Sequence, residues 1–227
     1  MNDEISGNLD SVLAQMANAS KKMGRLPGDV QLIAVSKKQP SEKVRAAFDA
    51  GQVVFGESKV QEARVKIPLL PLAVRWHFIG RLQKNKIRHA LPLFELFHSV
   101  DSLALARDIE RIAHEEGLRP RVLLEVNVAG EGSKIGFSPE QLWTEMELLL
   151  GLERVEVDGL MAIPPQAAVA EASRPYFVQL RELRDQLARE FHVKLSHLSM
   201  GMSSDYAVAI EEGATLVRVG TALFGSR

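Results

Sequence analysis

Short runs of branched and apolar residues alternate with segments of helical periodicity along most of this chain. The first run, QLIAVSK, is followed by SEKVRAAFDAG, in which apolar residues recur at three- and four-residue spacing. Seven further runs follow, each with a helical segment or a short tail after it. The predicted strands cover residues 31–37, 53–57, 75–80, 96–100, 121–128, 155–163, 197–201 and 216–220.

This alternation predicts a parallel sheet whose strands are connected by helices. Eight strands are the number that closes a (β/α)₈ barrel, and none of the eight runs has the character of an isolated edge strand. We therefore predict an α/β fold of the TIM-barrel type, with an open, doubly wound sheet as the alternative. The length of 227 residues suits one domain over residues 1–227, since no linker or low-complexity segment divides them.

The residues before the first strand predict one additional helix. Ile5, Leu9, Val12, Leu13 and Met16 recur at helical spacing and form one apolar stripe. The segment is too polar and too acidic for a signal peptide, and no apolar run approaches the length of a membrane span. We therefore expect an extra N-terminal helix in a cytoplasmic protein that does not associate with membranes.

Charge balance and the absence of cysteine narrow the classes of function. The chain has 28 basic and 29 acidic residues, so it offers no overall positive potential to nucleic acid. Without cysteine it forms no disulfide, thiolate nucleophile or cysteine-ligated metal site. The histidines show no metal-ligand spacing, and the basic cluster from Arg81 to Arg88 is interpreted as a solvated surface. No long apolar patch requires a second subunit, so we expect a monomer.

In a barrel of this type, functional side chains lie at the C-terminal ends of the strands. Ile33, Val35 and Lys37 alternate onto one face of the first predicted strand, and Lys38 points the other way. If the Val35 face lines the barrel, Lys37 projects into its mouth, where desolvation favours the neutral amine that forms imines. The alternative is a lysine that extends from the strand end into water. Lys134, in the loop after the fifth strand, is the competing amine.

Two glycine- and hydroxyl-rich turns follow the seventh and eighth strands, SMGMSS and Gly220-Thr221. Barrels often bind phosphate at these two loops, because glycine lets the backbone N–H groups approach an anion and hydroxyls complete its shell. The alternative is ordinary turn and capping chemistry, with Ser203 or Ser204 as a helix N-cap.

Arg218 lies inside an apolar strand, LVRVG, where its charge needs a partner. That partner is either a polar ligand atom in the mouth or a barrel carboxylate such as Glu57. His77 also lies within a strand and is interpreted as a hydrogen-bonded core residue. Three methionines near strand ends are expected to pack against whatever fills the mouth: Met161, Met200 and Met202.

Six segments, in order, resemble the signature segments of the pyridoxal phosphate homeostasis proteins. They read AVSKKQP, FGESKVQEA, WHFIGRLQKNK, GLMAIP, LSMGMSSD and VRVGTALFG, and they lie between residues 31 and 225. The resemblance implies a barrel like the N-terminal domain of alanine racemase that binds pyridoxal 5′-phosphate (PLP) without a well-established catalytic activity. It implies storage, buffering or delivery of PLP, with apo PLP-dependent enzymes as recipients.

The resemblance also implies roles for single residues. Lys37 matches the lysine that holds PLP as an imine, and Arg218 matches the arginine that faces the pyridine nitrogen. Ser203, with Gly220 and Thr221, matches the phosphate contacts. An arginine at the ring nitrogen disfavours the pyridinium by charge repulsion, so such a site binds PLP but stabilises a carbanion poorly.

One segment departs from the family pattern. The family commonly has an asparagine and then an aromatic residue where this chain has Ser58-Lys59, and Ser58 is a weak substitute for that asparagine. No catalytic residue and no metal ligand is predicted. The predicted cofactor-binding residues are Lys37, Ser58, Met200, Ser203, Arg218, Gly220 and Thr221.

Two enzymatic alternatives remain. A PLP-dependent amino-acid racemase needs an acid/base group on each face of the imine. The sequence has two tyrosines, of which Tyr176 lies in a long predicted helix and Tyr206 begins the helix after the seventh strand, which makes Tyr206 the one candidate. An enzyme acting on another phosphorylated metabolite would use Lys37 as an ordinary anion ligand and would form no imine.

Overall fold

The computed structural model describes residues 2–130, 135–166 and 168–225. Eight parallel strands form a closed barrel in which each strand pairs with its neighbours in sequence and the eighth pairs with the first. The predicted α/β barrel is therefore confirmed. The strands are β1 (Gln31–Val35), β2 (Val54–Glu57), β3 (Arg75–Phe78), β4 (Leu96–Val100), β5 (Arg121–Glu125), β6 (Glu156–Met161), β7 (His197–Ser199) and β8 (Leu216–Val219).

Helices surround this barrel, and most of them lie between consecutive strands. In chain order they are α1 (Asn2–Lys22), α2 (Ser41–Asp49), α3 (Val60–Lys66), α4 (Ile87–Ala90), α5 (Leu103–Glu116), α6 (Pro139–Leu150), α7 (Arg174–Glu190), α8 (Tyr206–Glu211) and α9 (Thr221–Phe224). The long predicted helix that contains Tyr176 begins at Arg174, after a short 3₁₀ turn. Pro175 occupies its first turn, where the missing N–H of proline leaves no hydrogen bond unmade.

The predicted extra helix is present as α1, which packs on α2, α8 and α9 and so covers the seam between the last strand and the first. Its amide side chain Asn8 donates to the carbonyl oxygen of Leu223 at 3.1 Å. Leu13 is 43 % exposed, so the apolar stripe is narrower than predicted. The stripe consists of Ile5, Leu9, Val12 and Met16. No helix in the described part of the chain combines the length and the apolar character that crossing a membrane requires.

The strands bury both faces, so the barrel has two apolar layers. The outer layer fills the space between strands and helices. The inner layer is a small cluster inside the barrel. Its members are Ile33, Val54, Leu96, Leu123, Met161 and Leu216. Several of them begin their strands, so this cluster forms the floor beneath the polar side chains of the C-terminal ends.

Strands β6 and β7 pair at Gly159, which lies beside His197 of the neighbouring strand. A Cβ atom at Gly159 would overlap the carbonyl oxygen of His197, a backbone atom that cannot move without breaking the ladder. A glycine is therefore required at this position for the barrel to close.

We expect Gly159→Ala to lower the free energy of unfolding by about 3 kcal/mol, because overpacking against backbone forces strand displacement. Urea denaturation followed by circular dichroism measures the change. The matched control is Gly28→Ala, whose new methyl group would have no heavy atom within 4 Å. Equal stability of the two variants would contradict the close approach of β6 and β7.

Candidate functional site

A cavity of about 390 Å³ opens at the C-terminal end of the barrel, a size typical of small-molecule sites. Most of its lining comes from the segments that contain or follow β1, β7 and β8, since β1 and β8 are neighbours in the closed barrel. The apolar side chains that line it are Val35, Ile79, Ile163 and Met202. The remaining lining residues are Lys37, Gln166, Ser203, Ser204, Arg218, Gly220 and Thr221.

The first strand directs Lys37 into this cavity. Ile33 belongs to the inner cluster, and Val35 and Lys37 both line the cavity, as strand alternation predicts. Lys37 is half-buried, whereas its neighbour Lys38 is exposed and adopts a left-handed conformation with φ of 61°. The turn at Lys38 therefore separates a lysine that faces the mouth from one that faces solvent.

A buried ion pair on the outer side of the barrel anchors the turn after β1. The Lys66 ammonium donates to Glu57 Oε1 at 2.6 Å and to the carbonyl oxygen of Ser36 at 2.9 Å. The Ser36 hydroxyl donates to the same Glu57 oxygen at 2.7 Å. Glu62 accepts from the backbone N–H of Lys38 at 2.6 Å and from Lys66 at 2.9 Å. The turn is thus tied to β2 and α3 by charge-assisted hydrogen bonds.

Arg218 lies in the barrel interior at 5 % exposure and reaches the cavity from β8. Its guanidinium donates to the carbonyl oxygen of Ala162 at 3.0 Å and to the hydroxyl of Ser199. The alternative that Glu57 is its partner is wrong, because Glu57 faces the outer side of β2 and pairs with Lys66. Among the residues that the structure describes, no carboxylate lies within ion-pair distance of Arg218.

Burial governs the electrostatics of this guanidinium. It lowers the pKa of Arg218 to about 10, while attraction to Glu125 and Asp205 acts in the opposite direction. Arg218 is therefore still charged at neutral pH, and its charge is balanced by hydrogen bonds and distant carboxylates in place of a direct ion pair.

The turns after β7 and β8 are joined by Ser203. Its hydroxyl oxygen accepts from the backbone N–H of Gly220 at 3.2 Å and of Ala222 at 3.3 Å. The N-cap of α8 is Asp205, and the carboxylate of Asp205 accepts from the N–H of Met202 at 2.7 Å. Ser203 is therefore not the N-cap of α8; its hydroxyl instead satisfies backbone N–H groups at the start of α9, as the turn and capping alternative allows.

Three residues that line the cavity have backbone N–H groups that donate to no other described residue. They are Ser203, Ser204 and Thr221. A Cβ atom at Gly220 would lie 3.3 Å from that of Val35, so glycine keeps this corner of the cavity open. Clustered N–H donors and hydroxyls at such a turn are typical of phosphate sites.

Two of the predicted cofactor-binding residues lie outside this cavity. Ser199 faces the barrel interior, so the next residue, Met200, faces outward and is fully buried in the outer apolar layer. Met202 lines the cavity instead, and Met161 belongs to the inner floor. Ser58 lines a separate cleft between the loops that follow β2 and β3. The competing amine Lys134 lies outside the described residues.

The sequence interpretation missed Glu125 as a residue of the barrel mouth. Leu123 belongs to the inner cluster, so Glu125, two positions further along β5, also faces the interior. Burial raises the pKa of Glu125 to about 7, with Asp101 adding to this effect and Arg218 opposing it. The alternation in RVLLE was the available signal.

Two histidines extend the polar interior below Arg218. His98 Nδ1 lies 2.8 Å from Ser199 Oγ, and His98 Nε2 lies 3.0 Å from His77 Nδ1. The interpretation of His77 as a hydrogen-bonded core histidine is therefore confirmed. Burial lowers the pKa of His77 to about 4 and that of His98 well below its ordinary value, so both rings are neutral at physiological pH.

Neither tyrosine of the chain lines the cavity. The Tyr206 hydroxyl donates to Gln15 Oε1 on α1 at 2.9 Å, and burial raises the pKa of Tyr206. Tyr176 packs against the outer layer. Within the described residues no group of three carboxylate or imidazole side chains could hold a metal ion.

Comparison with known proteins identifies the family. The family model "Alanine racemase, N-terminal domain" matches residues 8–227. The pyridoxal phosphate homeostasis protein of Aquifex aeolicus (strain VF5) is 47 % identical over 96 % of both chains. That of Escherichia coli (strain K12) is 37 % identical, over 100 % of this chain and 98 % of its own. The chain belongs to the pyridoxal phosphate homeostasis protein family.

Solved structures agree with this assignment. PipY of Synechococcus elongatus PCC7942, solved with PLP bound, is 41 % identical and matches 97 % of this family member and 100 % of its own chain, with a TM-score of 0.86. Alanine racemase of Clostridium difficile 630 shares the fold at 18 % identity and a TM-score of 0.78, and 56 % of its chain is matched.

The neutral state of His77 predicts an acid-sensitive fold. Unfolded His77 binds a proton near its ordinary pKa of 6.5, but the folded protein binds it only near pH 4. Stability is therefore lost as the pH falls from 6.5 towards 4, by up to about 3 kcal/mol from this group.

We expect His77→Asn to reduce the loss of unfolding free energy between pH 7 and pH 4.5, since asparagine does not titrate and its carbonyl can accept from His98. Urea denaturation at several pH values measures the slope. His114→Asn, at an exposed position on α5, serves as the control and should keep the wild-type slope. An unchanged slope in His77→Asn would show that this histidine does not contribute.

Proposed function

We propose that this chain binds PLP in the mouth of its barrel and stores, buffers or delivers it inside the cell. The observation that carries the proposal is one cavity lined by an amine, a buried guanidinium and a cluster of N–H donors and hydroxyls. Its donor set matches the three parts of PLP that a protein can recognise: the aldehyde, the ring nitrogen and the phosphate.

The phosphate would lie at the joined turns after β7 and β8. The N–H groups of Ser203, Ser204 and Thr221 supply donors. The Ser203 hydroxyl oxygen accepts from the N–H groups of Gly220 and Ala222, so neither of these bonds uses the hydrogen of the hydroxyl. This arrangement needs no lysine or arginine at the phosphate, because fixed backbone dipoles stabilise the anion without reorganising.

Lys37 would supply the amine that anchors the cofactor. Its amine would hold the aldehyde carbon of PLP as an imine (Schiff base), with release of one molecule of water. Val35, Ile79 and Met202 provide apolar surface for the ring and limit access of water to that bond.

Arg218 would face the pyridine nitrogen and donate a hydrogen bond to it. Because the guanidinium is charged, it disfavours protonation of the ring. PLP enzymes that stabilise carbanions place a carboxylate at this position, so the arginine suits retention of PLP better than catalysis with it.

The racemase alternative needs a second acid/base group on the opposite face of the cofactor. Tyr206, the tyrosine candidate in the sequence, is engaged with Gln15 on α1 and does not line the cavity. Glu125, whose pKa burial raises to about 7, approaches the mouth from β5 but is also outside the cavity lining. The alternative of a different phosphorylated metabolite leaves unexplained why an amine and a buried guanidinium line the same cavity. Retention and transfer of PLP therefore accounts for more of the site.

We propose that residues 1–227 act as a single PLP-binding barrel domain and that the protein is a cytoplasmic monomer. Apo PLP-dependent enzymes would receive the PLP that it binds. Alignment with homeostasis proteins over nearly their whole length supports the single domain. Size-exclusion chromatography with light scattering tests the monomer.

Anchoring on Lys37 predicts a yellow protein. We expect an imine absorption band after addition of PLP, and, after borohydride reduction, a pyridoxyl group on Lys37 by peptide mass spectrometry. Lys37→Asn should abolish both. Lys38→Asn is the matched control and should retain both, since asparagine tolerates the left-handed conformation of that residue.

A wild-type protein that takes up no PLP would overturn the proposed function and favour the enzyme of another phosphorylated metabolite. Uptake of PLP with the pyridoxyl group on a different lysine would retain the cofactor and remove Lys37 as its anchor. Racemisation of alanine or serine at an enzymic rate, lost in Lys37→Asn, would replace the carrier by the racemase.

Removal of the guanidinium predicts weaker retention. We expect Arg218→Ala to bind PLP about tenfold to a hundredfold more weakly, because a hydrogen bond from a charged donor is lost. The pH titration of the imine band should shift with it. Arg88→Ala, at a surface position that pairs with Glu115, is the control. Unchanged affinity and titration in Arg218→Ala would remove Arg218 from the site.

A further inference from the structure

We propose that Ser199, supported by His98 and His77, is a positioning residue that fixes the guanidinium of Arg218 at the barrel mouth. The inference rests on the proposed function for its consequence, since the orientation of Arg218 matters to PLP only if PLP occupies the cavity. The arrangement itself involves only side chains of the barrel and is testable in PLP-free protein.

Four side chains from four strands form one chain of hydrogen bonds across the barrel interior. Arg218 on β8 contacts the hydroxyl of Ser199 on β7, which lies 2.8 Å from His98 Nδ1 on β4. His98 Nε2 lies 3.0 Å from His77 Nδ1 on β3. All four residues are buried, so water does not compete for these bonds.

The chemistry of the groups fixes the direction of every hydrogen bond. A guanidinium only donates, so the Ser199 oxygen accepts from Arg218. The single hydrogen of Ser199 then goes to His98 Nδ1, which must be unprotonated. His98 consequently carries its proton on Nε2 and donates to His77 Nδ1. In the reverse direction the Ser199 hydrogen would find no acceptor among the described residues.

The charge state of the surroundings keeps this direction stable. No positive charge in this chain of hydrogen bonds repels Arg218, because burial lowers the pKa of His77 and of His98 and keeps both rings neutral. Glu125 and Asp205 favour the charge of Arg218 from β5 and from the N-cap of α8. A protonated His98 would carry a hydrogen on Nδ1, displace the hydrogen of Ser199 and repel Arg218.

The chain of hydrogen bonds leaves part of the Arg218 guanidinium available to the cavity. Arg218 carries five N–H groups, of which one contacts Ser199 and one contacts the carbonyl of Ala162. An arginine side chain that is already fixed gives up less rotational freedom when a ligand binds, so pre-positioning raises affinity. Ser199 is therefore expected to act on PLP through Arg218 without touching the cofactor.

The test compares removal of two buried hydroxyls. Ser199→Ala should weaken PLP binding about tenfold, since the guanidinium loses one of its two anchors, and should shift the pH titration of the imine band. Ser20→Ala is the matched control: Ser20 is also fully buried, and its hydroxyl has no hydrogen-bond partner among the described residues. It should leave affinity and titration unchanged. Ser199→Thr keeps a hydroxyl and should restore most of the affinity.

A double-mutant cycle separates positioning from a merely structural effect. If Ser199 acts through Arg218, Ser199→Ala should weaken PLP binding no further in a protein that already carries Arg218→Ala. Additive losses in the double variant would overturn the proposal, as would equal behaviour of Ser199→Ala and Ser20→Ala.

A measurement on the PLP-free protein distinguishes failure of this inference from failure of the proposed function. The Nη–H protons of Arg218, observed by ¹⁵N NMR, should exchange slowly with solvent in wild-type protein and in Ser20→Ala, and markedly faster in Ser199→Ala. Equal exchange in all three proteins would overturn the positioning role. Loss of protection in Ser199→Ala, in a protein that binds no PLP, would support the positioning role while the proposed function fails.

Discussion

A guanidinium inside a closed barrel must have its charge and its N–H groups satisfied, because an uncompensated charge in an apolar interior costs several kcal/mol. Arg218 imposes this requirement here. Its partners are the hydroxyl of Ser199 and the carbonyl of Ala162, and Ser199 in turn requires the acceptor nitrogen of His98. A polar line therefore crosses the interior of a barrel that is otherwise filled by branched and aliphatic side chains.

The two sides of the barrel wall carry two separate polar systems. On the inner side, neutral histidines and a serine support the charge of Arg218. On the outer side, Glu57 and Lys66 form a direct ion pair that anchors the turn after β1. Both systems act at the same mouth, since the first holds the guanidinium and the second holds the turn that directs Lys37 into the cavity. The amine and the guanidinium thus enter the same cavity from two neighbouring, anchored strands.

The barrel fold is shared with a protein of very different sequence. Alanine racemase of Clostridium difficile 630 has a similar barrel although only 18 % of the residues are identical. Fold alone therefore does not determine activity, and the side chains of the mouth do. In this chain both tyrosines point away from the mouth, one of them bound to α1, while the charged guanidinium remains.

The sequence by itself determined the barrel, the extra helix and the residues that approach the mouth from β1 and β8. Strand and helix periodicities are local, and alternation alone predicts that Lys37 and Val35 share one face. Because side chains alternate along a strand, an inward Ser199 implies an outward Met200, and an inward Leu123 implies an inward Glu125. Only the tertiary structure decided which side chains meet across the barrel, because those contacts depend on strand register and closure. For this reason the partnership of Arg218 with Ser199, the pairing of Glu57 with Lys66 and the separation of Ser58 from the cavity could not be predicted.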